Sequence, residues 1–183
     1  MNVLIRHPPD HDAALHNEQI AKLEALQAWC EHACKPLIVE VLVPREQEPE
    51  AEFEASDRPM IVAALIREAY ARGLCPAFWK IEGTSSVDGA GLVDAAVAEH
   101  SGGRQIILEK AADFPTIVQW FTAAAGSGTA AGFAIGRSVF WQPCAELLAG
   151  KCVADQAAQT VAANYLALVR AWDGVAPIPN RST

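Results

Sequence analysis

Two charged residues stand inside apolar runs of this sequence, Lys80 in CPAFWKIEG and Glu40 in KPLIVEVLVP. A lysine flanked by Phe78, Trp79 and Ile81 enters a partly buried strand, where loss of water disfavours the ammonium and frees the amine as a nucleophile. The chemistry open to such an amine is Schiff-base formation with a carbonyl. Glu40, one strand and one helix earlier, has the side chain to give or take a proton beside it. The same pattern also suits strand residues whose stems cover apolar neighbours while their charged ends reach water. In a sheet whose strands all run one way, matching positions fall in one layer, and this favours the catalytic reading.

The elements that must position these residues alternate along the chain. Val3–Arg6 reads as a short strand closed by HPPDHD, and residues 14–34 carry apolar side chains at helical spacing. Leu37–Val43 is a β-branched run of the kind buried on both faces. The Glu-rich and Pro-rich segment PREQEPEAEFEASD reads as a mobile loop, with Ser56 or Asp57 capping a helix from Pro59 to Arg72 that stops at Gly73. The strand holding Lys80, a glycine-bounded helix in TSSVDGAGLVDAAVAEHSGG, a strand at Arg104–Leu108 and a helix at Phe114–Ala125 follow. GFAIGRSVF reads as the fifth strand, with two small helices and then an amphipathic helix at Val153–Trp172 behind it. Residues 174–183 read as a flexible tail of a single domain.

Composition excludes several classes of function. With 183 residues, 51% hydrophobic, 20% charged and a net charge of −8, the chain reads as a core-forming domain with neither nucleic acid nor a membrane surface as partner. Its N-terminus, MNVLIRHPPDHD, lacks the features of a signal peptide, which gives a cytoplasmic expectation. The five cysteines form no Cys-x-x-Cys pair and read as reduced packing residues. Cys30 and Cys34, with His32 between them, read as two small residues on one buried helix face rather than as metal ligands. No metal and no other cofactor is expected.

Five strand–helix alternations with apolar strands predict an α/β fold with a parallel sheet covered by helices. An open doubly wound sheet carries a glycine-rich turn after its first strand, and HPPDHD has no glycine. A complete (β/α) barrel needs eight strands and about 250 residues.

The strings PLIVEVLVP, GLCPAFWKIEG, GFAIGRSVF and NYLALVRAW occur in order and together resemble the aldolase-like domain associated with myo-inositol catabolism. That domain is found alone or fused behind 5-dehydro-2-deoxygluconokinase, and is related to the class I tagatose-bisphosphate aldolases. The resemblance covers nearly the whole chain and implies a partial TIM-type barrel, matching the last five βα units of a (β/α)8 domain. It implies that Lys80 forms the Schiff base and that Glu40 moves protons during carbon–carbon cleavage.

Gly132, Gly136 and Arg137 match the end of the last barrel strand, where the glycines admit a phosphate and Arg137 offers it a fork of donors. Tight packing and a structural ion pair are the alternative roles of these three. Arg6 and His7, at the end of the first strand, stand where substrate contacts occur, although a capping or core histidine fits as well. Glu82 shares a strand face with Lys80 and either tunes it or pairs with it. The chain departs from the family at IILEKAADF, where a small, glycine-containing strand end is usual. Lys110 could help to hold a phosphate there, and Glu109 would repel it.

The resemblance thus implies a Schiff-base aldolase that cleaves a phosphorylated keto sugar acid, similar to 5-dehydro-2-deoxygluconate 6-phosphate, to dihydroxyacetone phosphate and malonate semialdehyde. The alternative is an inactive partial barrel serving as a sugar-phosphate binding or assembly module. Either way, five strands leave two sheet edges, so a homo-oligomer or a partner polypeptide supplying further strands is expected.

Overall fold

In a computed structural model, which describes residues 1–8, 12–44, 52–109 and 112–175, five parallel strands alternate with helices in one sheet. The strands are β1 (Asn2–Arg6), β2 (Ile38–Leu42), β3 (Phe78–Glu82), β4 (Gln105–Leu108) and β5 (Ala130–Ala134). The helices are α1 (Ala13–His32), α2 (Arg58–Ala71), α3 (Val87–Ala98), α4 (Phe114–Ala123), α5 (Arg137–Leu148) and α6 (Ala154–Val175), with a π-helical turn at Phe53–Asp57 leading into α2. This is an α/β fold. Its strand order is β1-β2-β3-β4-β5, so every strand lies beside its neighbour in sequence, as strands do in a (β/α) barrel.

Right-handed crossovers between successive neighbours put the connecting helices on one face of the sheet. Burial follows the two-residue period of the strands. Val39, Val41, Trp79 and Ile81 are buried and cluster with Ile20 and Leu23 of α1, Val62, Leu65 and Ile66 of α2, and Val93 and Val97 of α3. A second cluster joins Ile107 to Ile117 and Phe121 of α4, Val139 of α5 and Leu168 of α6, with Phe133 and Trp172 packed against it. The alternate residues Ile38, Glu40, Leu42, Phe78, Lys80 and Glu82 are half-buried, and Leu4 is 53% exposed. The opposite face of the sheet is therefore open, and it carries both candidate reactive groups.

Local chemistry sets the helix starts. Asp12 accepts from the amides of Ala14 at 2.7 Å and Leu15 at 3.3 Å, Ser86 from Gly89, and Asp113 from Thr116. Neither Ser56 nor Asp57 caps α2: Asp57 is helical and makes no side-chain cap bond, because the π-helical turn continues straight into α2. Gly73 does close α2, at φ +80°.

The end of the chain departs furthest from the sequence reading. Only the first three residues of GFAIGRSVF are strand: β5 stops at Ala134, Gly136 is the N-cap of α5, and Arg137 is its first residue. A register shift against Gln105/Ile106 makes a bulge in β5, with Gln105 opposite Ala130 and Ile106 opposite Gly132. One helix, α5, stands where two small ones were expected, and α6 runs on to Val175, so residues 174 and 175 are helical. The rest of the expected tail, 176–183, lies outside the described residues. Cys30 is buried, but Cys34 falls beyond the end of α1 at φ +51° and is exposed, as is Cys144; these two are not packing residues.

Candidate functional site

Glu40 of β2 and Lys80 of β3 are Cα partners in the parallel ladder, so one register position brings them side by side on the open face. The layer runs Leu4, Glu40, Lys80, Ile106, Gly132 across all five strands. Lys80 Nζ donates to Glu40 Oε2 at 2.7 Å, with side chains 22% and 19% exposed. Asn2 Nδ2 reaches the same oxygen at 3.4 Å from β1. The half-burial weakens competition from water and strengthens the pair. The same contact gives the lysine a proton acceptor at hydrogen-bonding distance, which an amine needs before it can attack a carbonyl.

Glu82, two residues on, does not pair with Lys80. Its Oε1 lies 3.5 Å from Nη1 of Arg58, and both side chains are about nine-tenths buried. The other guanidinium arm, Nη2, donates to the Gly83 carbonyl. Arg58, at the start of α2, thus takes up the charge of Glu82 and ties α2 to the strand end. Beside it, Glu54 Oε1 accepts from Trp120 Nε1 at 2.7 Å, Ser85 Oγ at 2.9 Å and the Ser85 amide at 3.0 Å. Thr84 Oγ1 donates to the Glu54 carbonyl at 2.8 Å, and Phe53 is buried. Glu54 therefore fastens the end of the Glu-rich segment to the carboxyl end of β3 and to α4, contrary to a mobile excursion at these residues.

Arg6 and His7 separate at the end of β1. Arg6 is exposed, and its backbone amide and carbonyl are clipped by the Gln19 side chain at 3.2 and 3.1 Å. His7 is buried, stacks edge-on against His16 with ring centroids 4.9 Å apart, and donates its amide to the Leu42 carbonyl; His16 Nε2 lies 2.8 Å from Glu68 Oε1.

Arg137 and Gly136 line the other end of the sheet. Arg137, Glu109, Asp113, Ser138, Trp141 and Gln142 surround a cleft of about 480 Å³ at the start of α5. Gly136 leaves 3.4 Å between an added Cβ and the Phe140 ring, whereas nothing lies within 4 Å of a Cβ at Gly132. Lys110 lies outside the described residues. Sequence reasoning singled out Lys80 and Glu40, which the fold brings together; it missed Arg58 and Glu54. The signal for Glu54 was Phe53, a lone large apolar residue in an acidic run.

Among the described residues, no group of three His, Cys, Asp or Glu side chains could hold a metal ion, and no helix is long and apolar enough to cross a membrane. No curated protein matches the chain. Residues 1–176 match a family model described as "Uncharacterized protein conserved in bacteria (DUF2090)", a description that carries no activity. The chain belongs to this bacterial family, DUF2090.

Proposed function

We propose that this chain is a class I, Schiff-base aldolase-like protein acting on a keto sugar acid of the kind of 5-dehydro-2-deoxygluconate 6-phosphate. The observation that carries the reading is the 2.7 Å contact between Lys80 Nζ and Glu40 Oε2 on the open face of a parallel sheet. Glu40 takes a proton from Lys80, and the neutral amine adds to the ketone. Loss of water gives an iminium, which serves as an electron sink. A base removes the proton of the hydroxyl on the β carbon, the bond between the α and β carbons breaks, and its electron pair passes into the iminium as an enamine. Protonation of the enamine and hydrolysis release the ketone product, and the other half leaves as an aldehyde. For the phosphorylated compound these products are dihydroxyacetone phosphate and malonate semialdehyde. In this reading Glu40 exchanges these protons.

A binding or assembly module is the second reading, and one observation favours it. Among the described residues the sheet has five strands, with β1 and β5 as its edges, and a (β/α) barrel closes with eight. Reduction with borohydride in the presence of dihydroxyacetone or dihydroxyacetone phosphate, followed by peptide mass spectrometry, separates the two. An adduct on Lys80 supports the aldolase reading. A folded sample that yields none with either ketone supports the module.

A further inference from the structure

The cleft at the start of α5 follows directly on the strand ends. Leu108 of β4 and Ala134 of β5 are register partners, and Glu109 and Gly136 come just after them. A 12-residue helix that begins at a glycine N-cap with no side-chain cap presents free amides, which favour an anion. Here the anion comes from the chain itself: Glu109 Oε2 lies 3.5 Å from the Ser138 amide in the first turn. The Ser138 hydroxyl is committed to the Ala112 carbonyl at 2.6 Å. Among the described residues Arg137 is the one cation lining the cleft, against the carboxylates of Glu109 and Asp113, and it makes no ion pair with any of them.

The second oxygen of Glu109, Oε1, is buried and has no hydrogen-bond partner among the described residues, so the Ser138 amide is the one donor this carboxylate has there. Trp141, 65% exposed at the rim, adds a flat apolar face of the kind that covers the C–H side of a polyol.

We propose that Glu109 is a charge filter for this cleft: the chain's own carboxylate holds the first-turn amide that a phosphate would use and sets its negative charge beside Arg137, and the ligand end that docks there is uncharged. Its meaning as a substrate choice rests on the aldolase reading and makes the preferred keto compound unphosphorylated at that end. Inorganic phosphate is the probe for the filter, titrated by calorimetry into the wild type and Glu109→Gln, with Glu109→Ser as a second variant should the glutamine disturb folding. The expected result is a phosphate affinity at least about tenfold tighter in the variant, with the gain lost on adding Arg137→Ala. Equal phosphate affinity in wild type and variant, or no gain in either folded variant, overturns the proposal. Borohydride trapping read beside it is expected to favour dihydroxyacetone over dihydroxyacetone phosphate in the wild type and to shift toward the phosphate ester in Glu109→Gln. A gain in phosphate affinity without any Lys80 adduct would sink the aldolase reading and leave the filter standing.

Discussion

Glu40 and Lys80 are opposite each other in the β2–β3 ladder and joined at 2.7 Å, so the register of two strands fixes both members of the candidate catalytic pair. A one-residue slip of either strand would turn its charge toward the helices, where Val39, Val41, Trp79 and Ile81 are packed. The apolar row on one face thereby holds the polar row on the other in place.

This coupling has a measurable energy. Lys80→Met leaves the Glu40 carboxylate half-buried without its cation and is expected to cost about 1–3 kcal/mol in urea denaturation. Combining it with Glu40→Leu should cost less than the two single changes added together. Additive losses would mean that the pair is not energetically coupled.

Glu54 gathers three donors from two other segments, Ser85 and Trp120. Glu54→Ala strands the indole N–H of Trp120, which is buried, and is expected to cost about 1–3 kcal/mol. Amide exchange at Ser85 should speed up in the variant. Unchanged protection there would show that Phe53 and the Thr84 bond to the Glu54 carbonyl hold the segment without the carboxylate.

Gly83 sits at the turn after Glu82 because the Trp120 ring lies against it: a Cβ there would come within 2.5 Å of the indole. Gly83→Ala is expected to destabilise by about 1–3 kcal/mol through overpacking at the strand end. A thermal melt matching that of the wild type would contradict this packing.

Asp94 contributes to the acid side of stability. Burial raises its carboxyl, but bonds from Ser127, from Thr129 and from the Gly128 amide outweigh this and hold it below the ordinary carboxylate value. A lowered folded-state value means stability that is present above the unfolded value of about 3.9 and lost as pH falls through the folded one. Denaturation midpoints measured between neutral pH and the acid limb should fall less steeply with acid in Asp94→Asn than in the wild type. Identical slopes would remove Asp94 from the acid response.

The first four strands and the helices between them were legible because apolar periodicity switches cleanly from two to 3.6 residues along the chain. Lys80 and Glu40 were legible as charges inside apolar runs, and a parallel sheet leaves few ways to arrange them. β5 was read too long because AAGFA has small residues and little alternation, and the bulge at Gly132 depends on pairing with β4. The Arg58–Glu82 pair was hidden because Glu82 was read as a partner of Lys80 on the same strand face and Arg58 drew no reading; only the packing of α2 on the end of β3 buries both. Glu54 was hidden in the same way, as one acid among several.

The central claim is that the Lys80 amine attacks a ketone. The most direct measurement is borohydride reduction of the folded protein with dihydroxyacetone and with dihydroxyacetone phosphate, followed by peptide mapping. The account predicts a mass increase on the Lys80 peptide that disappears in Lys80→Met and is reduced in Glu40→Gln. A folded wild-type protein with no adduct on Lys80 from either ketone would contradict it.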